Sequence, residues 1–382
     1  MPYDVAVIGA GVFGAWTAHH LRLAGQRVAL LENHGAAHSR ASSGGESRII
    51  RMGYGADEIY TRSAMRSLIL WQQLCEQTGQ PLFHRTGVLW TAAAGDRYAE
   101  NTRRTLARCG AHFEELSPAQ LALRYPQMRF AAGVGAIFEP ESGALMARRA
   151  VQAIVAEAVR HGVALLHEEA CAPAGPASLA ALRTASGGSI SAGAFVFACG
   201  PWLPKLFPDL LGKRIVPTRQ EVFFFGTPPG DRRFVPPAMP VWIDFSDPRG
   251  PYGFPDLENR GVKIALDQHG PGIDPDAADR VPSAGSLAAA REALGERLPA
   301  LRQAPLVETR VCQYENTSNG DFLIDRHPDF ANVWLAGGGS GHGFKHGPAV
   351  GEYVAARILQ GGPVEPRYSL AAKAEEQNRT VF

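Results

Sequence analysis

Gly9, Gly11 and Gly14 stand in the spacing Gly-x-Gly-x-x-Gly, directly after the apolar run Val5–Ile8 and at the head of a helical stretch reaching Ala24. Bare glycine backbone permits a tight turn that a pyrophosphate can approach, and a helix N-terminus adds free N–H groups and partial positive charge. Glu32 closes a second apolar run, Arg27–Leu31. A carboxylate there accepts both hydroxyls of a ribose and repels a 2′-phosphate. Together these residues predict a dinucleotide site, without choosing between NAD and FAD. Three other places invite chemistry. Arg48 and Arg51 flank Ile49-Ile50, a basic pair suited to a part-buried site. Lys263 sits inside the alternating run Val262–Leu266, where a charge needs a reason; an outward-facing strand lysine is the bland alternative. The loop Gly337–Gly343 offers bare backbone ahead of a helix beginning near Pro348, whose start favours an anion.

These residues require elements to hold them. Val5–Ile8, the helix to Ala24 with Gly25 as its stop, and Arg27–Leu31 form a βαβ unit at the start of the chain. Helical spacing returns from Asp57 to Thr78, with Ala64, Leu68, Trp71 and Cys75 on one stripe, and again from about Arg148 to His161. The second of these leads into a strand at Val163–Leu166. Short alternating runs at Thr86–Trp90, Gln220–Phe225 and Val262–Leu266 lie among Pro- and Gly-rich connections and read as antiparallel strands. Val333–Ala336 is a further apolar strand, a helix spans Pro348 to Leu359, and the chain from Gly361 is polar and irregular. The pattern predicts an α/β protein with two parts. A discontinuous Rossmann-like dinucleotide domain takes 1–80, 145–214 and 307–382, and an α+β substrate domain with a mainly antiparallel sheet takes 81–144 and 215–306.

Composition narrows the classes. Lys+Arg 38 against Asp+Glu 37 leaves a net charge of +1, so no bulk field draws nucleic acid or an anionic membrane. At 45% hydrophobic and 20% charged residues the chain is neither disordered nor collagen-like. Five cysteines without a CxxC pair argue against a disulfide framework and a zinc module. No apolar run is long enough for a transmembrane helix, and the first residues lack a basic leader. The expectation is a cytoplasmic protein, a monomer or small homo-oligomer, without a metal.

The choice of cofactor comes from motifs in a fixed order. They are Ser42-Ser43-Gly-Gly-Glu-Ser-Arg48-Ile-Ile-Arg51-Met-Gly-Tyr54, Tyr252-Gly-Phe-Pro255, Val311-Cys312-x-Tyr314, Ile324-Asp-x-His-Pro328 and Ser340-Gly341-His-Gly343-Phe-Lys345. From about residue 3 to about residue 360 the chain closely resembles the monomeric sarcosine oxidase and N-methyltryptophan oxidase family of flavin amine oxidases. The resemblance implies FAD, a D-amino-acid-oxidase-like fold, and oxidation of the C–N bond of a secondary amino acid, with O2 reduced to peroxide. It implies that Cys312 carries the flavin covalently through its 8α-methyl group, where the residue alone reads as a small buried thiol. It makes Arg51 and Lys345 the pair that binds the substrate carboxylate and sets Arg48 against the flavin. It makes Lys263 the cation that promotes reduction of O2. Tyr252 matches a tyrosine on the substrate side, and Tyr54 an aromatic position near the pocket that fits a core role equally well. Ser43, Gly341, Gly343 and Lys345 fall among the cofactor contacts, and Ala170 at a position offering backbone contacts to adenine. His342 reads as structural, Trp202 as packed near the cofactor, and Cys75 and Cys199 as core. Two other readings stand beside it: a flavin dehydrogenase on the same fold with another electron acceptor, and a nucleotide-binding protein without catalysis.

One departure matters. The family pattern expects a histidine four residues after the lysine that activates O2, and this chain has Asp267, with His269 two residues later. If strand alternation continued, Lys263, Ala265, Asp267 and His269 would share a face. Either Asp267 takes the histidine's place in the pocket, or a local bulge brings His269 in. A carboxylate there would repel a second carboxylate and favour a cationic or hydroxylated group near the amine, so the preferred substrate is expected to differ from plain sarcosine.

Overall fold

The computed structural model describes residues 2–377. Its first sheet is built from the apolar runs that the sequence marks. Strand Tyr3–Ile8 lies at the centre, parallel to Val28–Leu31 on one side and to Ser189–Phe197 on the other. Ala164–Leu166 extends the parallel set beyond Val28–Leu31, and Val333–Gly337 extends it beyond Ser189–Phe197. Leu323–Arg326 closes that edge antiparallel, and Ala181–Arg183 forms a hairpin on Ser189–Phe197. The strand order reverses direction at Tyr3–Ile8, so the crevice beyond its carboxyl end is the switch point where doubly wound sheets bind ligands.

Helix Val12–Leu23 crosses helix Gly347–Gln360 at close quarters on one face of this sheet. A Cβ added at Gly351 would lie 2.5 Å from the Trp16 carbonyl carbon, so only glycine permits that approach. Helices Glu58–Thr78 and Ala147–Arg160 pack into the same core through Trp71, Leu74, Ile154 and Val155. The helix expected from Pro348 begins one residue earlier, preceded by a single 3-10 turn, Gly343–His346.

The second sheet has eight strands, in the order Leu306–Thr317, Ile215–Phe225, Val262–Leu266, Pro251–Phe254, Val241–Asp244, Val88–Ala92, Gly135–Glu139 and Glu114–Leu116. All neighbours are antiparallel except Val241–Asp244 with Val88–Ala92. Two long strands dominate it. Ile215–Phe225 and Leu306–Thr317 pair along their whole lengths, from Ile215 with Thr317 to Phe225 with Leu306. The strand through Cys312 therefore belongs to this sheet, and the line drawn at 306/307 falls at its first residues. A third, small sheet joins Arg48–Ile50, Gly143–Leu145 and Phe83–His84, so the line drawn at 144/145 also runs through a strand. Hydrogen bonding between extended segments ignores a division made on texture alone.

Helices stand where no periodicity was read, among them Arg97–Cys109 and Ala284–Arg297. The stretch 362–377 is more ordered than its polarity suggests. Arg367 pairs with Asp57 and Asp321, and Lys373 is fully buried with its Nζ on the Arg367 carbonyl and Asn319. Among the described residues, no helix is long and apolar enough to cross a membrane.

Candidate active site

A cleft of about 490 Å3 runs over the carboxyl ends of the first sheet. At its turn, Gly9 has φ +99°, and a Cβ there would meet the Ala198 carbonyl oxygen at 2.5 Å. A Cβ on Gly14 would sit 1.9 Å from the Gly9 carbonyl oxygen, and Gly11 leaves its side of the turn open to the cleft. Ser43 Oγ accepts from the Val12 N–H at 3.3 Å, tying the segment that carries the arginines to the start of the helix. Glu32 lines one end of the cleft, with one oxygen on the Ala10 N–H and the other on the His34 N–H, both at 3.0 Å. Ala170, His38 and Trp202 line the same cleft. Cys199 lines it as well, and both Cys199 and Cys75 pack against the core as expected.

The other end of the cleft opens on a small cavity of about 110 Å3. Ala41, Arg48, Cys312, Tyr314, Gly341 and Phe344 line both spaces. The small cavity adds Arg51, Phe245, Tyr252, Lys263, Asp267, His342 and Lys345. Residues from the start, middle and end of the chain are thus brought to one place. Tyr54 lies just behind, fully buried against Lys345.

Cys312 Sγ is 3.3 Å from an Arg48 Nη and 3.7 Å from the Ser42 carbonyl oxygen. Arg48 is fixed by the Ser47 and Ser42 carbonyls at 2.8 and 2.7 Å, with its guanidinium 5.9 Å from the Phe344 ring centre. Ser47 has φ +59°, a left-handed conformation that is costly without glycine. That turn aims both its carbonyl and its hydroxyl at Lys263 Nζ, at 3.0 and 3.2 Å. The ammonium also lies 4.4 Å from the Phe254 ring centre. Lys263 is 3% exposed, which rules out the outward-facing alternative. Burial, then the Arg48 charge, holds its amine well below the usual lysine range.

Arg51 is 5% exposed, with its guanidinium 4.6 Å from the Tyr54 ring centre and hydrogen-bonded to Tyr98. Lys345 Nζ donates to the Tyr54 hydroxyl at 2.6 Å and to the His342 carbonyl at 3.1 Å. Burial, then the Arg51 charge, pushes the Lys345 amine well below its ordinary range, with Asp267 and Glu139 opposing. Two buried cations thus stand at one cavity, with the Glu139 carboxylate acting on both. The turn bearing Lys345 is anchored by Phe344 stacking on Trp71 at 5.6 Å and by Trp71 Nε1 on the Lys345 carbonyl.

Asp267 lines the small cavity and His269, an exposed residue, does not. The strand ends at Leu266, so alternation does not carry the face on to residue 269. The Asp267 N–H instead bonds the Gly250 carbonyl at 2.9 Å, which continues the pairing by one residue without a bulge. Tyr252 faces Asp267, and burial, then that carboxylate, pushes its phenol up. His342 is held as a structural group, with Nε2 3.0 Å from the Gly320 carbonyl oxygen and its ring stacked on Phe322. The helix near Pro348 is entered directly from a 3-10 turn, Gly343–His346. The residues on the cavities are Gly341, Gly343, Phe344 and Lys345, in the loop and 3-10 turn ahead of that helix.

Several contributors carry no signal that the sequence reading used. Glu139, 1% exposed, accepts from the Met52 N–H at 2.6 Å, the Gly53 N–H at 3.0 Å, Trp90 Nε1 at 3.1 Å and Ser142 Oγ at 2.7 Å. It thereby holds the backbone next to Arg51. His346 accepts the Tyr54 hydroxyl at Nε2, 2.9 Å away, and meets Ser63 Oγ through Nδ1. It stands beside Lys345 in the quoted motif and was open to notice. Phe245 lines the cavity and Tyr98 meets Arg51 behind it, and nothing local in their sequence marks them.

The fit to a bound FAD is structural. A turn that tolerates no Cβ faces the cleft, a carboxylate stands at one end, and a pocket ringed by cations stands at the other. Comparison with known proteins agrees. The family described as "DAO: FAD dependent oxidoreductase" matches residues 4–357. The chain is 30% identical to the peroxisomal sarcosine oxidase of Homo sapiens over 97% of its own length and 94% of that protein. It is 31% identical to the monomeric sarcosine oxidase of Streptomyces avermitilis, covering 97% and 99% of the two chains. With the N-methyl-L-tryptophan oxidase of Yersinia pestis it shares 29% over 95% and 96%. Among solved structures, the L-proline dehydrogenase of P. horikoshii superposes with a TM-score of 0.84 at 23% identity, covering 97% of each chain, a likeness of fold. The chain belongs to the family of FAD-dependent oxidoreductases that includes the sarcosine and N-methyl-L-tryptophan oxidases, and its chemistry is the FAD-dependent oxidation of amino acids.

Proposed function

We propose that the protein oxidises the C–N bond of a secondary amino acid, an N-alkyl amino acid or cyclic imino acid, and passes the electrons to O2. The observation that carries this reading is the convergence of Arg51, Lys345, Lys263 and Cys312 on one small cavity that continues the cofactor cleft. The substrate loses a hydride equivalent from the α-carbon and a proton from nitrogen to become an imine, which water hydrolyses. O2 takes up two electrons and two protons to give H2O2.

FAD supplies the two-electron acceptor between these steps. Arg51 and Lys345 bind the carboxylate and so orient the α-carbon. Their positive charges also favour an amine that has lost its proton, the form with the lone pair that oxidation requires. Lys263 places a desolvated positive charge where O2 gains negative charge. Cys312, at the border of cleft and cavity, is the residue through which the flavin is attached. Tyr252 closes the substrate side. In this reading 1–80, 145–214 and 307–382 hold the cofactor, and 81–144 and 215–306 roof the substrate, with the strand Leu306–Thr317 shared.

Asp267 sets the preference. Its carboxylate faces Tyr252 and Lys345 across the cavity and favours a substrate carrying a hydroxyl or a cation near the amine over plain sarcosine. The test is anaerobic bleaching of the flavin, followed by a peroxide assay in air, over a panel of N-methyl, cyclic and primary amino acids. Secondary amines bearing a polar group are expected to bleach fastest and to yield one peroxide per imine. Sarcosine as clearly the best substrate would overturn the role of Asp267. Bleaching without peroxide would favour a dehydrogenase, and no bleaching by any amino acid would sink the reading.

A further inference from the structure

Asp267 follows directly on the strand Val262–Leu266, and the next two residues, Gln268 and His269, are exposed. On one side its N–H is held by the Gly250 carbonyl. On the other side the neighbouring strand, Ile215–Phe225, has parted from it. Phe225, Phe224 and Phe223 pair with Val262, Lys263 and Ile264, and the next bridge joins Thr218 to Gly272. Between these points four residues, 219–222, stand opposite seven, 265–271. An excess of that kind makes the longer chain bow away from its partner. A carboxylate carried on the bowed chain keeps one geometry only where further contacts hold that chain in place.

Gln220 supplies such contacts. It is 6% exposed and lines the same small cavity as Asp267. Its Nε2 donates to the Gln268 carbonyl at 2.9 Å, and its Oε1 accepts the Gly270 N–H at 3.0 Å. A primary amide presents a donor and an acceptor side by side, so this side chain does for the bowed chain what a backbone partner does along a regular strand. A Cβ on Gly270 would lie 2.1 Å from the Arg219 carbonyl oxygen, so the chain returns tightly to the strand at that point. In its other pairing, Gln220 stands directly opposite Cys312. Side chains of directly opposed residues share a face of the sheet, so the amide stands on the wall that also carries Cys312.

We propose that Gln220 is a positioning residue for Asp267, and through Asp267 a determinant of which amino acid the enzyme prefers. This role rests on Asp267 setting the preference. With both amide hydrogen bonds in place, the turn 268–270 is fixed and the carboxylate just before it keeps its place in the cavity. Without them the exposed turn shifts. A hydrogen bond from a substrate hydroxyl to Asp267 then weakens, because such contacts fall off steeply with distance and angle.

The test is a double-mutant cycle read on substrate preference. Anaerobic stopped-flow reduction of the holoenzyme gives a limiting rate and an apparent Kd for N-methyl-L-serine and for sarcosine. The preference is the ratio of rate over Kd for the two. Gln220→Met fills a similar space without either hydrogen bond and is expected to lower the preference about tenfold, through the Kd of the serine derivative. Asp267→Ala is expected to lower it at least as far, and adding Gln220→Met to Asp267→Ala should change it no further. Gln220→Glu keeps only the acceptor for the Gly270 N–H and should fall between the parent and the methionine variant. The same cycle built on Gln220→Glu covers a methionine variant that does not fold. A parental preference in the Gln220 variants overturns the proposal, as does an equal loss with and without the Asp267 side chain. Asp267→Ala with the parental preference would overturn the role of Asp267, and that of Gln220 with it. A loss in Asp267→Ala but not in the Gln220 variants would leave the role of Asp267 standing and overturn that of Gln220 alone.

Discussion

The ammonium of Lys345 rests 2.6 Å from the hydroxyl of Tyr54, which lies 2.9 Å from His346 Nε2. Burial pushes the Tyr54 phenol up and, with the Lys345 charge next, pushes the His346 imidazole well down. The phenol therefore keeps its proton and passes it as a hydrogen bond to a neutral imidazole, leaving its lone pairs for Lys345. The donors run in one direction, from Lys345 through Tyr54 and His346 to Ser63. A residue that alone reads as aromatic filling is a hydrogen-bond partner of the cation expected to bind substrate.

This chain predicts a pH dependence. The folded-state proton affinity of Lys345 is depressed, so its charge is present at low pH and lost as pH rises through the depressed value. Binding of a non-oxidisable carboxylate inhibitor, read from the flavin spectrum, should weaken with rising pH well before an ordinary lysine would titrate. Lys345→Met should bind the inhibitor at least tenfold more weakly and remove that dependence, since Arg51 stays charged throughout. Tyr54→Phe removes an acceptor from the ammonium and should shift the fall-off to lower pH. A curve for Tyr54→Phe that overlays the parent would show that the contact does nothing for the charge.

The role of Lys263 separates two halves of the reaction. Its Nζ is held by the carbonyl and hydroxyl of Ser47, whose left-handed turn also presents its carbonyl to Arg48. Lys263→Met should slow reoxidation by O2 by about a hundredfold or more, on the scale of removing one fixed charge from a developing anion. Reduction by substrate under anaerobic conditions should change far less. Stopped-flow traces of the two half-reactions decide it, and an equal loss in both would assign the lysine to substrate binding instead.

Cys312 gives a test needing no substrate. Acid precipitation of the holoenzyme should leave the yellow colour in the pellet, and Cys312→Ser should release it to the supernatant. Colour in the supernatant of the unsubstituted protein would remove the covalent link and leave the flavin.

The legible parts of the molecule were those where one residue type admits one conformation or one charge. Gly9 and Gly14 sit where a Cβ would strike backbone, and Glu32 closes a buried strand, so the dinucleotide turn could be read directly. The flanking arginines and Lys263 stood out because charge among apolar neighbours demands a partner. What stayed hidden depended on partners distant in the chain. Glu139 and Met52 are 87 residues apart, and no local pattern says that their groups meet. Asp267 and His269 could not be separated by alternation, because the strand ends at Leu266, before the argument applies. Leu306–Thr317 was missed as one long strand since its charged residues interrupt the apolar alternation, yet its pairing with Ile215–Phe225 fixes where Cys312 stands.

Glu139 offers the sharpest separation of stability from binding. Its two oxygens take four donors, two of them the N–H groups of Met52 and Gly53 that follow Arg51 in the chain. Hydrogen bonds to a buried carboxylate are stronger than neutral ones, and removing the acceptor strands every donor at once. Glu139→Ala should cost about 3 kcal/mol of stability, seen as a lower denaturation midpoint. Glu139→Gln retains the shape and one acceptor oxygen, and should cost about half as much. In the glutamine variant the backbone after Arg51 is loosened while Lys263 and the flavin are untouched, so KM for the amino acid should rise several-fold with reoxidation by O2 unchanged. A glutamine variant with parental KM and lowered stability would confine Glu139 to the fold.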